Sequence, residues 1–143
     1  MIHHNALYLC FIVLIIVVSL MFVSQTIFSE EYKINNSISL NVKLSNKEIN
    51  PGEQQIIKFL LSDKSIDNKT NSYAIINGNI IYLTGMAQSF SLNISNSKWY
   101  TYSWIIDPQI QKFGTVLVGI DLSYNGSRVN INNLSFNIVK EKI

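Results

Sequence analysis

The sequence predicts a mostly β protein, with one N-terminal apolar helix followed by an antiparallel β-sandwich of about seven strands. Two observations carry this prediction. The first is an uncharged apolar run near the N-terminus, and the second is the alternation of apolar and polar residues in most segments after residue 37, the pattern of half-buried strands. No stretch after residue 30 keeps the i, i+3, i+4 spacing of an amphipathic helix for three turns.

The apolar run is Ala6–Val23, ALYLCFIVLIIVVSLMFV, which contains no charged residue. As a helix it would be about 27 Å long, close to the roughly 30 Å hydrocarbon core of a bilayer. All Lys, Arg, Asp and Glu residues follow it, beginning at Glu30. We therefore expect a cytoplasmic N-terminus over residues 1–5, a transmembrane helix or signal-anchor over 6–28, a linker over 29–37 and an extracellular domain over 38–143. The lipid bilayer would be the partner of the helix.

A cleaved signal peptide is the alternative, and it would give a secreted protein cut near Ser29. Residues 1–5 contain no Lys or Arg, however, and the small residues that usually mark a cleavage site are missing, since Ile27 would occupy the −3 position. A type IV pilin-like subunit is a further alternative, although no basic residue precedes Ala6. An accessory subunit of a membrane complex also stays open. The sequence favours a single-pass protein of the cell membrane with its C-terminal domain outside.

The first strands of the domain follow from alternation and turn residues. Ile38–Leu44 places every second residue on an apolar face. Asn50-Pro51-Gly52-Glu53 is a turn, because proline presets φ and glycine accepts positive φ. Gln55–Leu61 then forms the next strand, and the polar residues 62–72 form a loop.

The remaining strands repeat this pattern, and Asn77-Gly78 leaves one ambiguity, because it fits either a tight hairpin or a bulge within one long strand. Gly114 opens the penultimate strand, and Asn125-Gly126 is the turn after it. In order, the predicted strands are Tyr73–Ile76, Asn79–Leu83, Ser89–Ile94, Trp99–Ile106, Thr115–Tyr124 and Ile131–Val139. Short strands separated by turns at this spacing predict a sandwich, with a small barrel as the alternative.

Four motifs carry a resemblance at the level of the fold. They are Pro51-Gly52-Glu53 before a strand, Gly78-Asn79-Ile80-Ile81-Tyr82 followed by Gly85, Tyr100-x-Tyr102-x-Trp104-x-Ile106, and Gly114-Thr115 opening a strand. From about Asn50 to Val139 the chain resembles the Ig-like sandwich modules of microbial surface proteins, of the invasin and macroglobulin type. The resemblance implies an Ig-like architecture that serves as a spacer, a stalk or an adhesive surface. Such modules have no catalytic residues, so the resemblance implies none in this chain.

Composition excludes most catalytic chemistry from the predicted domain. The histidines are His3 and His4 and the cysteine is Cys10, so residues 38–143 contain neither residue type. This removes histidine-based general bases, catalytic triads, and nitrogen or sulfur metal sites. The basic residues are scattered, which argues against a nucleic-acid surface. We therefore expect a non-enzymatic module without cofactor or catalytic residues, acting in adhesion, binding or envelope structure.

Four groups of residues remain as candidate sites. Asp63, Asp67 and Asn68 form a weak calcium candidate, since oxygen ligands suffice for that ion, but they lack the alternating spacing of a preformed calcium loop. Trp99 is a candidate exposed contact to a protein or glycan partner at the cell surface. Tyr100, Tyr102 and Trp104 face the core by alternation, or else line a platform for sugar rings. The N-glycosylation sequons are Asn35, Asn68, Asn93, Asn125 and Asn133.

Overall fold

The computed structural model describes residues 28–65 and 73–140, and this part of the chain is built from β-strands in two sheets. The nine strands are β1 (Phe28–Lys33), β2 (Ile38–Leu44), β3 (Glu48–Ile49), β4 (Gln54–Asp63), β5 (Tyr73–Ile81), β6 (Ala87–Ser95), β7 (Trp99–Ile105), β8 (Gly114–Tyr124) and β9 (Ser127–Ile138). The predicted mostly β class is confirmed for these residues.

Each sheet has its own strand order. The first sheet runs β1-β2-β4-β7 and the second runs β3-β9-β8-β5-β6. Neighbouring strands are antiparallel except β3, which pairs in parallel with β9 through two residues. The edge strands β6 and β7 follow one another along the chain, so the connection between them crosses from the second sheet to the first.

The core lies between the two sheets, as the alternation predicts. In β2 and β4 every second residue is buried, and β5 and β8 contribute the facing rows. The largest fully buried side chains are Phe59, Phe136, Leu40, Leu44, Ile49, Ile57, Leu61, Ile76, Ile80, Ile94, Ile106 and Ile120. Burial of such side chains stabilises the fold by about 1.5–3 kcal/mol each before entropy is counted.

Aromatic rings connect the two inner faces. Phe90 of β6 stacks on Tyr102 of β7 with ring centroids 4.1 Å apart, and Tyr102 in turn stacks on Trp104 at 5.6 Å. Trp104 meets the edge of Phe136 at 6.0 Å. Because these rings come from both sheets, they hold the sheets together as well as filling the core.

Asn77 and Gly78 lie inside the single strand β5, so the hairpin interpretation is wrong, and the pairing of β5 has no bulge there either. Gly78 pairs with Phe90 on one side and Ile120 on the other, without a register shift at this position. A Cβ atom placed on Gly78 would lie 2.1 Å from Cζ of Phe90, so the aromatic ring lies directly over the glycine. Glycine is therefore required here for close approach and not for a turn.

The predicted linker over 29–37 needs correction, because it contains most of a strand. β1 (Phe28–Lys33) pairs with β2 from Phe28↔Leu44 to Lys33↔Ser39. Only residues 34–37 form the connection. With β1 and the two-residue β3, the described residues hold nine strands and not about seven.

The predicted N-terminal helix lies outside the described residues. Within residues 28–65 and 73–140, no helix is long and apolar enough to cross a bilayer.

Candidate functional site

Trp99 begins β7, the edge strand of the first sheet, and its side chain lies on the outer face with 41% of its surface exposed. The ammonium of Lys43 lies over the indole, with Nζ 4.8 Å from the ring centroid. Lys43 comes from β2, two strands away in the sheet. This cation–π contact holds the indole against the sheet while leaving the lysine its charge.

A shallow depression of about 530 Å³ surrounds this pair, and its lining residues are Lys43, Leu44, Ser45, Ile56, Lys58, Trp99 and Thr101. Lys58 lies directly opposite Lys43 in the register of β2 and β4. Like charges at directly opposed positions destabilise a sheet slightly. The two lysines therefore concentrate positive charge beside an exposed aromatic ring, an arrangement that suits an anionic ligand better than a neutral one.

Tyr100, Tyr102 and Trp104 point toward the core, as the alternation predicts. Trp104 is only 6% exposed, whereas the two tyrosines are half-buried at the open side between β6 and β7. The Tyr102 hydroxyl accepts a hydrogen bond from Gln88 at 2.8 Å, and the Tyr100 hydroxyl pairs with Ser95 at 2.7 Å. That bond lowers the pKa of Tyr100, against the smaller opposing effect of burial. The hydroxyl groups thus bind within the sandwich and do not form an outward platform.

Asp63 is the described member of the calcium candidate, since Asp67 and Asn68 lie outside the described residues. It is 5% exposed, and its Oδ2 accepts a hydrogen bond from the Tyr124 hydroxyl at 2.7 Å. Its Oδ1 accepts hydrogen bonds from the backbone and the hydroxyl of Ser65. No group of three or more His, Cys, Asp or Glu residues able to hold a metal occurs in 28–65 and 73–140. The calcium site stays a prediction, and the visible role of Asp63 is to join β4, its following turn and β8.

Protonation of Asp63 is expected to weaken the fold at acidic pH. Burial by itself would raise the pKa of Asp63, but the hydrogen bonds from Ser65 and Tyr124 outweigh it and hold the pKa below its usual value. A carboxyl group with a lowered folded-state pKa stabilises the protein above its unfolded pKa of about 3.9. That contribution is lost as the pH falls from there through the folded pKa.

The measurement is the unfolding free energy of the wild-type protein and of Asp63→Asn across this acidic range. We expect the variant to be less stable at neutral pH and the difference to shrink below about pH 4. Asp107→Asn is the matched control, because Asp107 is exposed and an asparagine oxygen there can still accept the hydrogen bond from the Gln109 backbone. A difference for Asp63→Asn that does not change with pH would contradict this role.

The four sequon asparagines within the described residues are all exposed. Asn93 lies on the outer face of β6, and Asn125 occupies the β8–β9 turn with φ of 48°. Asn35 accepts hydrogen bonds from the backbone of Ser37 and Ile38 through its side-chain oxygen. Asn68 lies outside the described residues. Glycosylation stays a prediction, and Asn125 is an exposed acceptor in a turn.

Asn133 belongs to a polar cluster that alternation alone did not indicate. Tyr32 of β1 donates to the Glu30 carboxylate and lies 3.1 Å from Oδ1 of Asn133, while the Asn133 amide lies 3.4 Å from the same carboxylate. Burial raises the pKa of Tyr32, and the hydrogen bond with Glu30 raises it further. The cluster joins the edge of the first sheet to β9 of the second, so glycosylation of Asn133 would compete with this contact.

Comparisons with known proteins assign no family to this chain. No family model matches the chain, and no curated protein matches it. Among solved structures, it is similar to the Pseudomonas fluorescens alkylpurine DNA glycosylase AlkC bound to DNA containing an abasic site analog, with 17% identity and a TM-score of 0.42 over 66% of this chain and 28% of that one. It is also similar to an X-ray structure of a Northeast Structural Genomics Consortium target, with 11% identity and a TM-score of 0.36 over 80% and 83% of the two chains. The chain spans only 28% of the glycosylase, and neither likeness carries an argument about function.

Proposed function

We propose that this protein is a non-enzymatic binding module of the cell surface, anchored by Ala6–Val23 and carrying an Ig-like β-sandwich outside the membrane. One observation supports an anchored form over a secreted one. β1 runs across the Ser29–Glu30 bond, and Phe28 and Ser29 pair with Leu44 and Lys43. Phe28 also packs against the core. Cleavage near Ser29 would remove residues that the folded domain uses.

The Ig-like assignment rests on the two packed sheets and on the motifs that resemble surface modules. The aromatic strand Tyr100-x-Tyr102-x-Trp104 lies at one edge of the core, and Pro51-Gly52-Glu53 turns into β4. A packed sandwich without histidine or cysteine is suited to presenting surfaces. We therefore assign this protein a role in adhesion or envelope binding and not in catalysis.

The surface that best fits a ligand is the depression around Trp99, Lys43 and Lys58. An exposed indole offers a flat apolar face to a sugar ring, and two ammonium groups offer charge and hydrogen-bond donors. An anionic ligand would also relieve the repulsion between the opposed lysines. We therefore assign this site to an acidic glycan of the cell surface.

Membrane topology is tested by cysteine labelling in intact cells. Cys10 is the sole cysteine, so a Cys10→Ser background carrying Ser127→Cys presents one exposed thiol at the far end of the domain. We expect a membrane-impermeant maleimide to label it in intact cells, and the protein to stay in the membrane pellet after alkaline carbonate extraction. Labelling only after lysis would contradict an external domain. An intact mass that begins near Glu30 would establish the secreted form, and one that begins at Ala6 would establish a pilin-like subunit.

Ligand binding is tested with the full-length protein in detergent micelles against matched acidic and neutral glycans. We expect binding of the acidic set to weaken at least about ten-fold in Trp99→Ala and in Lys43→Gln, corresponding to about 1.4 kcal/mol. Tyr73→Ala is the matched control, because it removes an exposed aromatic side chain from the second sheet. A loss of affinity in Tyr73→Ala as large as in the two site variants would contradict the assignment. Equal affinity for acidic and neutral glycans would contradict it too. If the site binds a protein partner and no glycan, the glycan assignment is overturned and the ligand is a protein.

A further inference from the structure

Within residues 28–65 and 73–140, nine large hydrophobic side chains are exposed. Six of them gather at one end of the sandwich, and they are Ile81, Leu83, Met86, Ile105, Phe113 and Leu117. We call this the apolar end. The other three, Tyr73, Ile75 and Trp99, lie toward the opposite end. Exposed apolar residues are ordinary when they are scattered, but a group at one end of a small domain indicates a contact surface.

The strand registers place these residues together. Ile81 and Leu117 are direct partners on β5 and β8. Leu83 lies against Gly114, since its Cδ1 is 2.7 Å from the position of a Cβ on that residue. Phe113 immediately precedes Gly114 in the chain. Met86 and Ile105 line one small depression beside Tyr82 and Ile110.

The chain enters the domain at this same end. Phe28 begins β1 opposite Leu44, the last residue of β2, and this end also holds the start of β4 at Gln54 and the end of β7 at Ile105. Five residue steps separate Phe28 from Val23, the last residue of the apolar run. At 3.3–3.6 Å per residue they reach at most about 18 Å. The anchor therefore keeps the apolar end close to the bilayer surface.

We infer that the apolar end docks on the lipid bilayer, with Leu83, Met86 and Phe113 inserted among the headgroups. This inference rests on the proposed anchored form. Strand positions place charged residues of both signs at this same end, namely Lys47, Lys112 and Lys140 together with Glu48, Glu53 and Asp107. Such a mixture fits the mixed charges of zwitterionic headgroups, so apolar contact supplies the affinity. Docking fixes the orientation of the sandwich and directs its opposite end, with Asn125, away from the membrane.

The test uses full-length protein in phosphatidylcholine vesicles, in a Cys10→Ser background with a single environment-sensitive fluorophore. Met86→Cys places the label at the apolar end, and Tyr73→Cys places it at the opposite end as the matched control. Both side chains are more than half exposed, at 58% and 62%, so neither substitution should disturb the core. We expect the Met86 label to shift to the blue and to lose emission to lipids that carry a quencher near the headgroup, while the Tyr73 label stays solvent-like.

Each other outcome has a distinct meaning. A solvent-like Met86 label on protein that floats with the vesicles overturns lipid docking and leaves the anchored form intact. Protein that does not float with the vesicles overturns the anchored form as well. A blue shift that disappears when the protein is diluted in lipid assigns the apolar end to a second copy of this chain and overturns lipid docking. A further variant with Leu83→Asn and Phe113→Ser should lose the blue shift while still floating with the vesicles.

Discussion

Replacing Gly78 with alanine is expected to lower the free energy of unfolding by about 3 kcal/mol, the upper part of the range for overpacking a core. The added methyl group would lie 2.1 Å from Cζ of Phe90. The Phe90 ring cannot move away easily, because it stacks on Tyr102 at 4.1 Å and contacts Phe59 at 6.2 Å. Urea denaturation of the full-length protein in detergent micelles, followed by tryptophan fluorescence, measures the effect.

Gly119→Ala is the matched control, because Gly119 also lies within a strand of the second sheet. The nearest atom to a Cβ placed there is Oδ1 of Asn132 at 3.4 Å, and the φ of Gly119 lies outside the left-handed region, although the register with β9 shifts at this position. We expect a change within about 0.5 kcal/mol of zero. The clash itself is isolated by adding Phe90→Leu to both Gly78 forms, since the smaller side chain should recover part of the loss. Equal stability of the two alanine variants would contradict the packing of Phe90 on Gly78.

The position of Gly78 in the middle of a strand could not be predicted from the local sequence. Asn-Gly between two apolar runs is the strongest short-range signal for a hairpin. The structure keeps both residues within β5 because Phe90, on the neighbouring strand β6, needs a partner without a side chain. That requirement comes from strand pairing, and pairing is not visible in the spacing of apolar residues.

Alternation predicted the central strands well and the edges poorly. β2, β4 and β8 carry regular apolar rows, and their inward residues are those the pattern indicates. β1 escaped prediction because the charged Glu30 interrupts its inward row and because Phe28 and Tyr32 in that row are only partly buried. Glu30 and Tyr32 face inward as a polar pair completed by Asn133, 101 residues from Tyr32 along the chain. A contact of that separation could not be predicted from a local pattern.

The candidate ligand site around Trp99 could likewise be predicted only in part from the sequence. Alternation places Trp99 on the face opposite Tyr100 and Trp104, and this is enough to predict an outward side chain. The sequence does not bring Lys43 and Lys58 to it, because their proximity depends on the register of β2, β4 and β7. The depression around Trp99 therefore became a candidate site only once the sheet was assembled.

The two tryptophans of this chain should respond to alanine substitution in opposite ways. Trp104→Ala is expected to cost about 4 kcal/mol, within the range for removing a large buried aromatic side chain. Trp104 is 6% exposed, stacks on Tyr102 and meets Phe136. Its indole also donates a 3.1 Å hydrogen bond to the Tyr82 hydroxyl, so the substitution leaves a buried polar group without that partner. Urea denaturation measures the loss.

Trp99→Ala removes the same side chain from the outer face and should cost about 1 kcal/mol, because it loses the exposed cation–π contact with Lys43 and partial packing on the sheet but leaves the core intact. If Trp104→Ala does not fold, Trp104→Phe replaces it, and this variant keeps most of the packing while losing the bond to Tyr82. We expect that variant to cost about 1–3 kcal/mol. A Trp104→Ala protein as stable as Trp99→Ala would place the indole outside the core. Tyr102 and Trp104 would then again be candidates for a platform that binds sugar rings. Aromatic side chains that pack between the two sheets cannot also bind a ligand.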